Sequence, residues 1–549
     1  IKIIAALIFM LCFRDKLHAD HFFGADIAYR CIDTNTGKYR FTATLYRSCS
    51  GITFFINTSL SIRKPGFSGD IPMTFMSKQE VTPQCQPPDV PVKPATNCPG
   101  QTPMLANGTK GVEAWVYQVD YVMGKNIGWT YVGYRECCRN LEISTGQTWQ
   151  NAWVQAALNT NFINNSTIFR SRPIPYWCRL RVNTYNHGAV DSFDERFITV
   201  GSRQVIKDSL AFVLICPFLN EAANINDAAL LKNPCCTFNS GLSPTNFLYT
   251  TSGVNFDPKT GQYTCTPDRV QDAVMAIAVE EWRAVPNSSG GYNRVKIGYV
   301  CRDVQITVRE ACPDISAPGV VEDSLISSNK IAFDKVDICG KSKAQVTFKL
   351  VGAANQNLLT KVIEIPRPGS IINFKYKETK IRPSLTDTIF GTITFDSAVG
   401  IGTERFLMEY YYCDAIGNRI SRFYLLTLNF RTAVKVKDRI LYYCNGGKPV
   451  KASVNGASKY SWTPKTGIVF GNADSSIVDL APTTSTTYTV KGIDGIDSTQ
   501  SCNIIDSLRV IVIPRFNYSL SPKLTDLCLH DTVQINLATQ ITDTPYIYK

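Results

Sequence analysis

The chain has 549 residues, enough for about three to four domains. Its 57 basic and 45 acidic residues leave a net charge of +12, a mild excess without any dense Lys/Arg run, which sets nucleic acid aside as a partner. An acidic polysaccharide or an anionic surface fits that excess, and ordinary solubilising charge is the plain alternative.

In chain order, Lys2 precedes an apolar run from Ile3 to Phe13, and Leu17, His18 and Ala19 end in a small residue. This layout predicts a secretory signal peptide, residues 1–19. The run is too short to span a bilayer, and no other stretch offers about 18 uninterrupted apolar residues. The expectation is an exported, soluble chain in which cysteines become cross-links. There are 19 cysteines, with Cys12 inside the signal. Two adjacent pairs, Cys137 with Cys138 and Cys235 with Cys236, read as staples to different partners, because neighbours rarely bridge each other. The chain has no CxxC, and its histidines beyond the signal are His21, His187 and His530, far apart in sequence. Redox and zinc chemistry therefore give way to a scaffold.

The pattern along the chain is that of strands. In residues 39–47, Phe41, Ala43 and Leu45 alternate with Thr42, Thr44 and Tyr46, and Val304, Ile306 and Val308 alternate with Gln305, Thr307 and Arg309. Turn signals such as "DTNTGK", "DPKTG" and "PNSSGG" separate such runs. "INDAALLKN" predicts a short helix, and "VQDAVMAIAVEEW" fits a helix or a strand. Cys339, Cys444 and Cys528 each open a polar stretch that enters an alternating strand, at intervals that suit Ig-sized sandwiches. No G-x-S-x-G, H-E-x-x-H or P-loop motif is present. Glu280 and Glu281 are adjacent on a strand and point to opposite faces, so they cannot flank one bond. The chain reads as non-enzymatic.

"YSWTPKTGIVF" with "APTTSTTYTVKGIDGIDSTQSC" resembles the PKD or Ig-like repeats of large Bacteroidota surface proteins. Upstream, "HFFGADIAYRC", "YRFTATLYRSCSG", "ECCRN", "NHGAVDSFDE", "FDPKTGQYTCTP", "AVEEWR" and "GYVCRDVQITV" together resemble the N-terminal region of gliding-motility-associated, SprB-like adhesins exported by type IX secretion. The resemblance implies that "ECCRN" is a framework motif and that "AVMAIAVEEW" is a strand. It places Cys444, Trp462, Tyr488 and Cys502 on the repeat pattern, with Trp462 in the core and a Cys444 to Cys502 bridge tying the unit's ends. Cys339 with Cys413 spans a unit of similar size. Parity then leaves an odd cysteine in the N-terminal region, expected among Cys137, Cys138, Cys235 and Cys236.

The stretch from "NHGAVD" to "FDPKTGQYTCTP" is similar to cadherin-like domains, which implies calcium as a possible cofactor with Asp191, Asp194, Glu195 and Asp208 as oxygen ligands. A solvated acidic turn is the preferred reading of the same residues. The lineage also implies O-glycosylation at Asp-Ser/Thr motifs on exposed loops: Ser209, Ser324, Thr388, Ser397, Ser498, Ser507 and Thr532.

The expected fold is all-β: tandem Ig, PKD or cadherin-like β-sandwich domains in a disulfide-rich rod. The boundaries are 20–160, an N-terminal sandwich; 161–312, a cadherin-like domain with an insertion; 313–433, an Ig-like sandwich; 434–515, a PKD or Ig-like repeat; and 516–549, the start of a further repeat. The expected role is an extracellular adhesin or filament on the outer-membrane surface, the N-terminal part of a longer chain with further repeats beyond Lys549. Its partners would be a surface polysaccharide or another extracellular ligand, and the secretion or motility machinery. The alternatives are a glycan-binding module of a secreted polysaccharide-degrading enzyme and a polymerising sheath subunit.

Overall fold

The computed structural model describes residues 22–310 except 52, 88–89, 91–94, 100–110, 138, 140–150, 174–175, 192–196, 201–202 and 220–234. It also describes 319–321, 335–339, 343–354, 359–364, 371–381, 386–397, 402–414, 417–431, 434–455, 457, 459–493, 505–513, 518–521 and 536–539, with backbone alone over 319–404. The signal segment, "INDAALLKN", Ser324, Ser498, Cys502 and Thr532 lie outside the described residues.

Every regular element described is a strand. Those up to residue 309 are β1 (Phe22–Asp33), β2 (Lys38–Ser48), β3 (Thr58–Lys64), β4 (Phe67–Glu80), β5 (Val112–Val122), β6 (Trp129–Glu136), β7 (Ala152–Asn159), β8 (Ile168–Phe169) and β9 (Tyr176–Cys178). They continue with β10 (Asn183–Asn186), β11 (Ala189–Val190), β12 (Phe197–Val200), β13 (Arg203–Ile206), β14 (Asp208–Ile215), β15 (Thr250–Asp257), β16 (Gln262–Pro267), β17 (Gln271–Pro286) and β18 (Tyr292–Arg309). "VQDAVMAIAVEEW" is thus a strand, because β17 lies between β14 and β18 with both faces covered.

The chain divides into two compact units, residues 1–336 with 342–429, and residues 337–341 with 430–549. In the first, strands run β1-β2-β5-β4-β3-β6-β7-β18-β17-β14, and an additional β1–β18 pairing joins the path into a ring. Alternation explains its lining: Tyr39, Phe41, Ala43 and Leu45 of β2 are buried in the ring's core. The closing point needs glycine. Gly24 pairs with Val304 at φ +149°, and a Cβ there would sit 2.1 Å from the carbonyl oxygen of Asp303.

The β1–β2 and β15–β16 hairpins share one turn chemistry. Asp33 accepts from Asn35 N at 2.9 Å and Thr36 Oγ1 at 2.6 Å, as Asp257 does from Lys259 N at 2.8 Å and Thr260 Oγ1 at 2.7 Å. These are Asx turns, written in the sequence as Asp, two further residues and then Thr-Gly.

β18 pairs with both β1 and β7, so strands of the expected 20–160 and 161–312 domains share one sheet. The region expected as a separate sandwich at 313–433 does form two four-stranded sheets. Its strands Gly402–Cys413 and Arg419–Arg431 nevertheless join the N-terminal core. Leu407, Phe423 and Leu425 pack in one cluster with Tyr185 and Tyr263, and Phe423 N donates to Thr184 Oγ1 at 3.1 Å.

Apart from residues 337–341, the second unit starts at Phe430, close to the expected 433/434 boundary, and has two four-stranded sheets. One contains Lys435–Val436, Val450–Asn455, Ile477–Leu480 and Ile468–Gly471; the other runs Ile440–Cys444, Ile505–Ile513, Thr486–Ile493 and Lys459–Thr463. Trp462 and Tyr488 lie in its own core. Trp462 is 3% exposed, and its indole N–H donates to Ser475 O at 2.8 Å.

Candidate functional site

The ring's junction is held by buried charge. On β18, Arg302 and Asp303 point to opposite faces, and each finds a buried partner. Arg302 Nε lies 3.2 Å from Asp26 Oδ2 of β1, and its Nη1 donates to Ser171 O at 3.0 Å. Burial raises the Asp26 carboxyl above its ordinary pKa, and the Arg302 charge opposes that. Asp303 accepts from both terminal nitrogens of Arg139, a residue only 1% exposed. Arg139 also donates to Phe218 O at 3.3 Å. "ECCRN" thus contributes an arginine as well as cysteines. Reading the motif for sulfur missed it, although the acidic residue of "GYVCRDVQITV" was the available hint of a partner.

A second polar network joins β1, the 163–167 segment, β11, β14 and β17. Asp208 accepts from Arg283 Nε and Nη2, both at 2.8 Å. Arg283 donates onward to Asn164 Oδ1 at 3.1 Å, and Asn164 Nδ2 donates to Glu281. Glu281 is fully buried and also accepts from Thr167 N and from Thr167 Oγ1 at 2.7 Å. Burial, followed by the charge of Asp191, raises its pKa, while the bonds from Thr167 and Asn164 lower it. The upward direction prevails, and a proton has a place to go. Tyr29 OH is 3.5 Å from Glu281 Oε2 and 3.3 Å from Ala157 O, so a protonated Glu281 can donate to Tyr29 while Tyr29 donates to Ala157.

This geometry redraws the calcium expectation. Asp208 is engaged by a guanidinium on both oxygens, and Asp191, only 3% exposed, acts electrostatically on Glu281. Neither belongs to a solvated turn. Asp194 and Glu195 lie outside the described residues. Among the described residues no group of three or more His, Cys, Asp or Glu side chains is placed to hold a metal ion. His187 sits against Tyr185, Tyr263 and Phe169 at ring distances of 4.9, 5.5 and 5.8 Å. Burial, then the nearby Arg302 charge, pushes its pKa well below the ordinary value, keeping the imidazole neutral.

Cysteine pairing departs from the beads-in-series expectation. Cys413 bonds Cys85 rather than Cys339. Two further bridges join Cys49 to Cys98 and Cys216 to Cys235, and Cys137 and Cys178 are disulfide-bonded as well. Cys235 is therefore a staple, and its neighbour Cys236 is a buried thiol with its pKa pushed up to about 11 by burial. That is the expected division of one adjacent pair. It is not a unique leftover, since Cys265 and Cys301 are buried thiols too.

Of the expected Cys444 to Cys502 bridge, Cys502 lies outside the described residues; Cys444 is paired with Ile513 and is an exposed thiol.

Of the glycosylation motifs, Ser209, Thr388, Ser397 and Ser507 fall within strands rather than on loops. Thr388 is in a central strand paired on both sides, with Val351 and Ile381, and Ser209 Oγ donates to Trp282 O at 3.3 Å. Ladder pairing replaces the loop setting that a bulky sugar requires.

No protein-family model and no curated protein matches the chain. Among solved structures it is similar to Sidekick-1 immunoglobulin domains 1–4, with 8% identity over 86% of this chain and 94% of that one and a TM-score of 0.17. It is also similar to the N-terminal eight Ig domains of Down syndrome cell adhesion molecule (7% identity, 93% and 80% coverage, TM-score 0.15). Mouse clustered PcdhgC3 EC1-3 is a further similar structure (9%, 49% and 88%, 0.14). At such scores the fold rests on the strands' own pairing.

Proposed function

We propose that the chain is a non-enzymatic, load-bearing extracellular adhesin. The resemblance of its motifs to gliding-motility-associated surface proteins supports a place on the outer-membrane surface after type IX export, with a surface polysaccharide as ligand. The observation that carries the load-bearing part is the Cys85–Cys413 bridge, with a sequence separation of 328. A pull along the chain passes through this bridge, so everything inside the loop, including β5 to β18, is shielded from extension, while β1 to β4 precede Cys85 and stay on the load path.

Single-molecule pulling of the full chain between its ends, with and without reductant, tests this. Each residue contributes about 3.5 Å when extended, so reduction is expected to release at least about 110 nm of additional contour length. Equal lengths in both conditions would show that the load path does not run through the bridge, and the mechanical reading would fall.

A further inference from the structure

We propose that one sheet face of the second unit binds an anionic polysaccharide. On the sheet formed by Ile440–Cys444, Ile505–Ile513, Thr486–Ile493 and Lys459–Thr463, one face is the core and carries Tyr443, Tyr460, Trp462, Tyr488, Val490 and Val510. The residues between them face out. Lys491 is paired with Ser461 and Ile505, and Arg509 with Thr487 and Ile440. Lys459 lies two residues along from Ser461 and so stands diagonally from Lys491, at about 7 to 8 Å. Lys491 and Arg509 are separated by four residues along the ladder, about 13 Å.

Lys459, Lys491 and Arg509 are exposed, and among the described residues none of the three is in an ion pair. Between Lys491 and Arg509 runs a row of hydroxyls, Thr463 beside Thr489 beside Ser507. Beyond Arg509, Tyr442 is paired with Ile511 and is 62% exposed.

This set of groups matches one ligand chemistry. The cations are dispersed rather than clustered, which suits a polymer bearing one carboxylate or sulfate per repeat better than a compact phosphate. Hydroxyls both donate and accept, as sugar hydroxyls require of a partner, and an exposed aromatic ring offers a flat apolar platform to a sugar's C–H face. The surroundings reinforce the attraction. Residues 434–513 contain nine Lys or Arg residues and six Asp, with no Glu, and Asp506 is tied down by Val436 N at 3.0 Å and Ser507 N at 2.9 Å.

The inference deepens the adhesin reading and rests on it for the chain's location, but it has a separate readout. Native affinity electrophoresis of the full chain is run in gels containing alginate, a polyuronate, or dextran, which is neutral. Alginate is expected to retard the unsubstituted chain and dextran to leave it unaffected, with the retardation falling as salt screens the charges. The K459A/K491A/R509A triple should bind alginate at least tenfold more weakly, and Tyr442→Ala several-fold more weakly. A K437A/K448A/K465A triple removes the same charge from other exposed positions and should retain binding. Retention of alginate by the face triple, or equal loss in both triples, would overturn the proposal. The contour-length measurement is unaffected by either result, so failure here leaves the load-bearing reading to stand or fall by itself.

Discussion

At the scale of single residues, the framework depends on a few arginines that sequence patterning treats as surface. Arg47, Arg139, Arg302 and Arg422 are each buried to within 2% exposure, and Arg47 Nε donates to Glu113 at 3.0 Å. Removing one member of a buried pair leaves the other charge unpaired and typically costs about 3 to 5 kcal/mol, whereas replacing both with apolar groups is often neutral. Arg139→Ala should therefore lower the denaturant midpoint of the first unit sharply. The R139M/D303L double variant should recover most of that loss. Chemical denaturation of the three proteins decides the matter, and a double variant as unstable as Arg139→Ala would mean that the ion pair itself is indispensable.

At the scale of elements, alternation was legible where one face of a strand meets solvent and less so where both are covered. In β2 the buried set Phe41, Ala43 and Leu45 stands against half-buried Thr42 and Thr44, as the sequence pattern states. In β17 the run from Ala273 to Val279 is buried without interruption, and a period vanishes when every position is apolar, hence its resemblance to a helix. The two Asp-led hairpins were legible because turn chemistry is local. The Asp208–Arg283–Asn164–Glu281 network was not, since it gathers residues from separate strands and no short spacing encodes it. It also carries a pH dependence. Glu281 has a raised pKa in the folded chain, so the folded state holds its proton more tightly than the unfolded state does. The stability this contributes is complete below the ordinary glutamic acid value of about 4.3 and is lost as pH rises through the folded value. Glu281→Gln should remove that loss. Urea midpoints at pH 5 and pH 9 should converge in the variant relative to the unsubstituted chain, and an unchanged difference would show that Glu281 does not titrate in this range.

At the scale of the whole molecule, local repetition placed a boundary near residue 430, where the main segment of the second unit begins, but concealed how far the first extends. Cys339 and Cys413 stand at an interval that looks like one bead, yet Cys413 closes on Cys85 across 328 residues, a connection that pairwise spacing cannot single out from a set of many cysteines. The result is two compact units rather than a series of equal beads, and whether each unfolds cooperatively by itself is testable by calorimetry of the full chain. A disulfide that closes so long a loop contributes on the order of 5 kcal/mol by restricting the unfolded chain. Cys413→Ser should therefore lower the transition of the first unit and leave that of the second in place. Trp462→Ala should do the reverse, because truncating a buried aromatic costs roughly 3 to 5 kcal/mol and Trp462 belongs to the second unit's own core. The two substitutions together should shift both transitions by the sum of their separate effects, as sites without shared contacts do. A single transition moved by either substitution alone would mean that the units unfold as one, and the partition of the chain at Phe430 would then lack energetic meaning.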